Sequence, residues 1–247
     1  MAGFTMTVAG RTCRVQPLFE STAHYFGAYL SQLPPDFSVT VQPQDLVFEQ
    51  EMLDREAVEE GFRFRKFTDP FLERAAICRA FAEELFEQDT LMLHGSVVVV
   101  EEEAYLFTAR SGTGKSTHTR LWCQAFGDRA AVINDDKPFL RCLPEQVLAC
   151  GSPWSGKHGL DQNRTVPLRG ICILERGREN IISPMVAADA LPMLLKQGYC
   201  PLEEAKQLSY TQKITALAHR IPLWHMRCNK DPQAAVVAYS AMSKAGR

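Results

Sequence analysis

The sequence predicts an α/β fold, a mixed sheet with a smaller α+β region ahead of it. Three observations predict this. The apolar run 104–107 leads into Thr108-Ala109-Arg110-Ser111-Gly112-Thr113-Gly114-Lys115-Ser116-Thr117, and a helix-compatible segment, 115–125, follows and is closed by Gly127. Further apolar runs of strand length stand at 96–100, 130–133 and 171–174. Asp69-Pro70 opens a helix, with Asp69 as cap and Pro70 in the first turn.

In chain order, residues 4–8 and 13–15 read as a hairpin with Gly10 in its turn. Residues 23–30 read as a helix that stops before Pro34-Pro35. Residues 37–41 and 46–48 read as strands, and the acidic, weakly patterned 49–60 as a solvated loop or poor strand. After Asp69-Pro70, the residues Phe71, Ala75, Cys78, Phe81 and Leu85 share one helix face, with Glu73, Arg74, Arg79 and Glu83 off it. Glu101-Glu102-Glu103 joins two strands as a charged hairpin tip rather than a metal cluster. Residues 138–142 and 146–150 form a second hairpin. The C-terminal part is expected to be helical, with starts at Ser183-Pro184 and Asp231-Pro232 and a break or kink at Pro192. The expected division is 1–88 for the N-terminal region and 89–247 for the domain that carries the chemistry.

Bulk properties narrow the function classes. Of 247 residues, 46% are hydrophobic and 23% charged, ordinary values for a globular chain. A net charge of −2 leaves no basic footprint for nucleic acid. No apolar run reaches the ~20 residues that span a bilayer, and the N-terminus lacks the pattern of a secretory signal. The eight cysteines include no Cys-x-x-Cys pair and sit mostly in apolar contexts, as small core residues of a reducing compartment do. The expectation is a cytoplasmic protein with no nucleic-acid or membrane partner; homo-oligomerisation stays open.

The stretch 108–117 carries the chemistry. Strand, Gly-rich turn and helix in that order make a phosphate-binding loop. Gly112 and Gly114 let backbone N–H groups approach an anion, and the helix start adds its positive dipole end. Arg110, Ser111, Gly112, Thr113, Gly114, Lys115, Ser116 and Thr117 are therefore the expected nucleotide contacts. Lys115 reaches the outer phosphates and the Ser116 hydroxyl ligates Mg²⁺. The usual pattern has Gly where this chain has Ala109. Eighteen residues after Thr117, an apolar strand ends in Asn134-Asp135-Asp136. One carboxylate can hold Mg²⁺ while the other takes a proton from an attacking hydroxyl. His94, just upstream of the hairpin that delivers the loop, can orient a carboxylate. Lys157, His158, Arg164 and Arg169 supply cations for a migrating phosphoryl group. Trp154 is read as an anchor for its loop rather than a platform for a base.

Leu93-His94-Gly95, the hairpin, Ser111–Ser116 and Asn134-Asp135-Asp136 together resemble the catalytic domain of HPr kinase/phosphorylase. The loop also looks like that of ATP-dependent phosphoenolpyruvate carboxykinase, whose nucleotide-binding fold is related. The resemblance covers roughly residues 90–180. Pro153-Trp154-Ser155-Gly156-Lys157 narrows it to the HPr-kinase-related proteins of bacterial peptide-modification and uncharacterised gene clusters. It implies that Asp135 is the general base, that His94 supports it, that Asp136 is a metal-linked acid, and that ATP and Mg²⁺ are the cofactors. It also implies that the site can run phosphorolysis in reverse. An acidic residue of the family's second signature falls at Pro167 here, and the long basic loop used on HPr is not recognisable. The reading is an ATP- and Mg²⁺-dependent kinase acting on a hydroxyl, serine of a peptide or protein. The alternatives are a small-molecule kinase and a non-catalytic ATP-sensing module.

Overall fold

The computed structural model describes residues 3–244. Its chain divides into two compact units, Met1–Glu84 and Leu85–Arg247, against an expected division after residue 88. In the first unit, β1 (Phe4–Val8) and β2 (Arg11–Gln16) form the expected hairpin, with Ala9 and Gly10 at positive φ in the turn. A short helix α1 (Thr22–Tyr25) and a 3-10 turn, Gly27–Tyr29, follow, so the helix expected over 23–30 is broken in two. Strand β3 (Phe37–Thr40) pairs parallel with β2, giving a three-stranded sheet.

Residues 43–60 correct the sequence reading. They form one helix, α2 (Pro43–Glu60), in place of the expected strand at 46–48 and loop at 49–60. Pro43 occupies the first turn. The Gln42 and Asp45 side chains cap each other's backbone N–H groups, and Gly61 closes the end at φ 72°. Helix α3 (Asp69–Phe86) forms as expected, and Cys78, Phe81 and Leu85 of the expected face are buried, but the face is wider than the spacing predicts and its first residue is not in it. Phe71 is 37% exposed, while Leu72, Ala76, Ile77 and Phe81 are buried. Glu73 is fully buried and accepts hydrogen bonds from the Leu18 and Phe19 N–H groups and the Thr22 hydroxyl. Those partners offset the desolvation of the carboxylate.

The second unit is a mixed α/β structure on a large mixed sheet. Its elements are β4 (Thr90–Met92), β5 (Ser96–Val100), β6 (Glu103–Thr108), α4 (Lys115–Phe126), β7 (Ala130–Asn134), β8 (Phe139–Cys142), β9 (Val147–Cys150), β10 (Thr165–Arg176), β11 (Ile181–Met185), α5 (Ala187–Gln197), α6 (Glu204–Arg220), β12 (Leu223–Cys228) and α7 (Gln233–Met242). Ser183-Pro184 lies inside β11 rather than at a helix start, because Ile181–Met185 pairs antiparallel with β12. Helix α5 begins after Val186 and continues through Pro192.

The sheet runs β4-β8-β9-β10-β6-β5-β7, with β12 on β10 and β11 on β12. Strand β10 hands over its outer edge: Thr165–Pro167 pairs with β9, and Ile171–Arg176 pairs parallel with β12. Strands β6, β10 and β12 are parallel; β5 is antiparallel to both β6 and β7. The carboxyl ends of β6, β7, β10 and β12 therefore share one edge, and the start of β5 joins them there. Both faces are covered, so the strands read as unbroken apolar runs. Val98, Val100, Tyr105, Phe107, Cys172 and Leu174 pack with α4 and α7, whereas Val97, Val99, Leu106, Ile171 and Ile173 pack with α5 and α6. Each fully buried valine of β5 stabilises the fold by ~1.5–3 kcal/mol. Among the described residues no helix is long and apolar enough to cross a membrane.

Candidate functional site at the carboxyl edge of the sheet

Strand β6 delivers the loop 109–114 at this edge. Ala109, where the pattern has glycine, is fully buried beneath the loop and packs with Phe107 and Trp122. Its carbonyl accepts a hydrogen bond from Lys115 Nζ at 3.2 Å. Thr113 N–H donates to the Arg110 carbonyl at 3.2 Å, which tightens the turn. Gly112 and Gly114 stand at φ 72° and 121°, in a region that favours glycine. A Cβ at Gly112 would meet no atom within 4 Å, and one at Gly114 only Thr117 Cβ at 3.9 Å, so the space over these amides is open. Helix α4 starts at this point, held down by buried Leu121 and Trp122.

The carboxylates arrive from β7. Backbone pairing continues past the strands, with Gly95 N–H donating to the Asp136 carbonyl at 2.9 Å, so His94 comes beside Asp136. His94 Nε2 lies 3.2 Å from Asp136 Oδ1. The sequence reading assigned His94 to Asp135; the antiparallel register gives it Asp136 instead. The Thr108 hydroxyl donates to the His94 carbonyl at 2.8 Å, tying that residue to the end of β6. Burial pushes the Asp136 carboxyl up, but the His94 hydrogen bond and the charges of Lys137 and Lys115 outweigh it, and the net shift is down. Lys115 thus acts electrostatically on Asp136.

Asp135 is 3% exposed. Its Oδ1 accepts a hydrogen bond of 2.6 Å from the Gly156 N–H, and its buried Oδ2 has no hydrogen-bond partner among the described residues. Burial raises its carboxyl above the ordinary range; Gly156 opposes this, Asp136 adds to it, and His158 opposes it. A Cβ at Gly156 would stand 3.3 Å from both Asp135 oxygens, so a side chain there would push the carboxylate by a few tenths of an ångström. Asn134 fixes the strand end: its amide donates to the Ser152 carbonyl and hydroxyl, at 2.9 and 3.0 Å, and its Oδ1 accepts from the Asp136 N–H at 2.8 Å.

Other expected residues divide by place. His158 faces Asp135 electrostatically, and Lys157 is exposed on the same loop. Trp154 is buried edge-on against Phe139 at 6.1 Å and is an anchor. Arg164 and Arg169 are not brought to this edge. Arg164 pairs with Glu102, and Arg169 pairs with Glu103 at 3.3 Å and donates to the Ser243 carbonyl at 3.1 Å. Glu101 and Glu102 form the tight turn between β5 and β6, both at positive φ, at the far end of β6 from the loop. An arginine absent from the sequence reading takes a place at the edge: Arg176 donates from Nη2 to the Gly112 carbonyl at 2.5 Å and from Nε to the Thr113 carbonyl at 3.3 Å. Only the parallel pairing of β10 with β6 puts its end beside the loop.

Among the described residues no group of three or more His, Cys, Asp or Glu is arranged to hold a metal ion. Mg²⁺ is commonly held by one or two carboxylates, with water and phosphate completing its shell. Asp136, and Ser116 at the helix start, could provide such a partial set.

No protein-family model matches this chain, and no curated protein matches it. Among solved structures, the Hpr(Ser) kinase/phosphatase from Coxiella burnetii is similar, with a TM-score of 0.38 and 10% sequence identity, covering 62% of this chain and 97% of that one. A likeness of that size transfers neither activity nor residues.

Proposed function

We propose that this protein is an ATP- and Mg²⁺-dependent kinase that transfers the γ-phosphate to a hydroxyl, serine of a peptide or protein. The observation that carries the reading is a juxtaposition. The Gly112–Gly114 loop with Lys115 and the Asp135-Asp136 pair meet at one sheet edge, and a buried carboxylate oxygen of Asp135 has no hydrogen-bond partner among the described residues. Ligands bind in α/β sheets outside the carboxyl ends of strands.

The loop amides and the α4 start bind the phosphates. Lys115 leaves the Ala109 carbonyl for the outer phosphates. Asp135, oriented through Oδ1 by Gly156, accepts the acceptor's proton at Oδ2. His94 positions Asp136, which would hold the metal together with the Ser116 hydroxyl. Mg²⁺ held there would neutralise charge on the transferring group. His158 and Lys157 add positive charge from the neighbouring loop.

The test is transfer of labelled γ-phosphate to peptides and metabolites, with Asp135→Asn as the control. The expected outcome is a loss of ~10²–10⁴-fold in transfer with Mg-nucleotide affinity retained. Unchanged turnover would remove Asp135 from the base role. Labelling of small molecules alone would make the chain a small-molecule kinase, and binding without turnover would make it a sensor.

A further inference from the structure

We infer that a cavity on the opposite flank of the loop holds the base and ribose of the nucleotide. It rests on the reading of 110–117 as a phosphate loop and extends it. The cavity has a volume of about 340 Å³, within the usual range for small-molecule sites. The loop at the end of β6 divides the edge in two. On the β5–β7 side stand His94, Asp135 and Asp136. On the β10–β12 side lies the cavity, lined by Gly112 and Thr117 from the loop and helix, Leu174 from β10 and Cys228 from β12. From β12 to β7 is four strand spacings, ~19 Å, room for an extended nucleotide with its phosphates over the loop between the two ends.

The wall chemistry fits a nucleoside. Cys228 and the edges of the buried Leu174 and His118 side chains give the cavity an apolar and aromatic floor. His118 is fixed, because its Nε2 accepts a hydrogen bond of 3.1 Å from Trp122 Nε1. No carboxylate is among the lining residues, and two cations are. Arg176 is spent on the loop carbonyls, fastening the phosphate loop to the strand that carries Leu174. Lys230 is exposed at the rim, beyond β12, and is the cation left to meet an anionic ligand.

The test compares two probes, Mg-ATP and Mg-tripolyphosphate, by calorimetry on the full chain. The wild-type chain is expected to bind ATP more tightly. Cys228→Trp, which fills the cavity, is expected to weaken ATP by about tenfold or more and to leave tripolyphosphate unchanged. If wild type binds neither probe, the phosphate-loop reading itself falls and the cavity assignment with it. If it binds both and the variant binds ATP as before, the cavity assignment alone is overturned. Should the variant misfold or lose both probes alike, site-resolved alkylation of Cys228 in the wild-type chain decides. ATP must slow that reaction and tripolyphosphate must not; equal protection, or none, overturns the assignment.

Discussion

At the residue scale, His118 shows how much one buried group can set. It is 2% exposed, and desolvation pushes its pKa down to about 4. The Trp122 hydrogen bond occupies Nε2, so the neutral ring carries its proton on Nδ1, 3.9 Å from Cys228 Sγ. The sign of the linkage follows. In the unfolded chain histidine takes up a proton below about 6.5, but in the fold it stays neutral until about pH 4. The unfolded state therefore binds more protons between those values. Stability is fully present above about pH 6.5 and falls by about 3 kcal/mol as the pH drops to about 4. His118→Gln keeps a side chain able to accept from Trp122 and removes the titration. Denaturant titrations at several pH values should show a smaller acid-side loss in that variant; identical pH profiles would rule the effect out. Glu73 is the opposite case, a buried carboxylate satisfied by three donors, none of which its helical spacing announces.

At the element scale, the junction behind Asp135 is closely packed. Gln162 N–H donates to the Ile133 carbonyl at 3.0 Å, and Gly151 N–H to the Arg164 carbonyl at 2.9 Å. A Cβ at Gly151 would stand 1.9 Å from the Gln162 carbonyl oxygen and 2.6 Å from that of Ile133. Both are backbone atoms within a paired network, so they cannot simply rotate away. Gly151→Ala should destabilise the protein by about 3 kcal/mol, read as a lower denaturation midpoint with an unchanged slope. A cost below about 0.5 kcal/mol would mean that the junction yields. Helix α2 teaches a different lesson at this scale. Its signals were local and present: proline at the first turn, reciprocal caps at Gln42 and Asp45, glycine at the end. The short apolar group Leu46-Val47-Phe48 imitates a strand when those flanking signals are not weighed.

At the scale of the whole molecule, the chain divides into two compact units. Between α2 and α3 lies an irregular segment whose residues Phe62, Arg63, Phe64, Arg65 and Lys66 are exposed. Gln50 pins it, donating to the Arg65 carbonyl and accepting from the Phe67 N–H, both at 3.0 Å. Limited trypsin digestion is expected to cut first at Arg63, Arg65 or Lys66, and faster in Gln50→Ala. A first cut inside the large sheet would contradict the picture.

The amino-acid order by itself determined what depends on near neighbours. The glycines that open the loop, the strand before it and the helix after it act within ten residues, and backbone preference at each is local. It likewise determined that Asp135 and Asp136 end a strand. Only the tertiary structure decided which groups meet. Register across β5 and β7 gave His94 to Asp136; the parallel pairing of β10 brought Arg176 to the loop; the tight turn at Glu101–Glu102 drew Arg164 and Arg169 to the other end of the sheet. The reason is that such contacts join residues dozens of positions apart. Their meeting is set by strand order and register, and these are fixed by how the whole sheet buries its two faces.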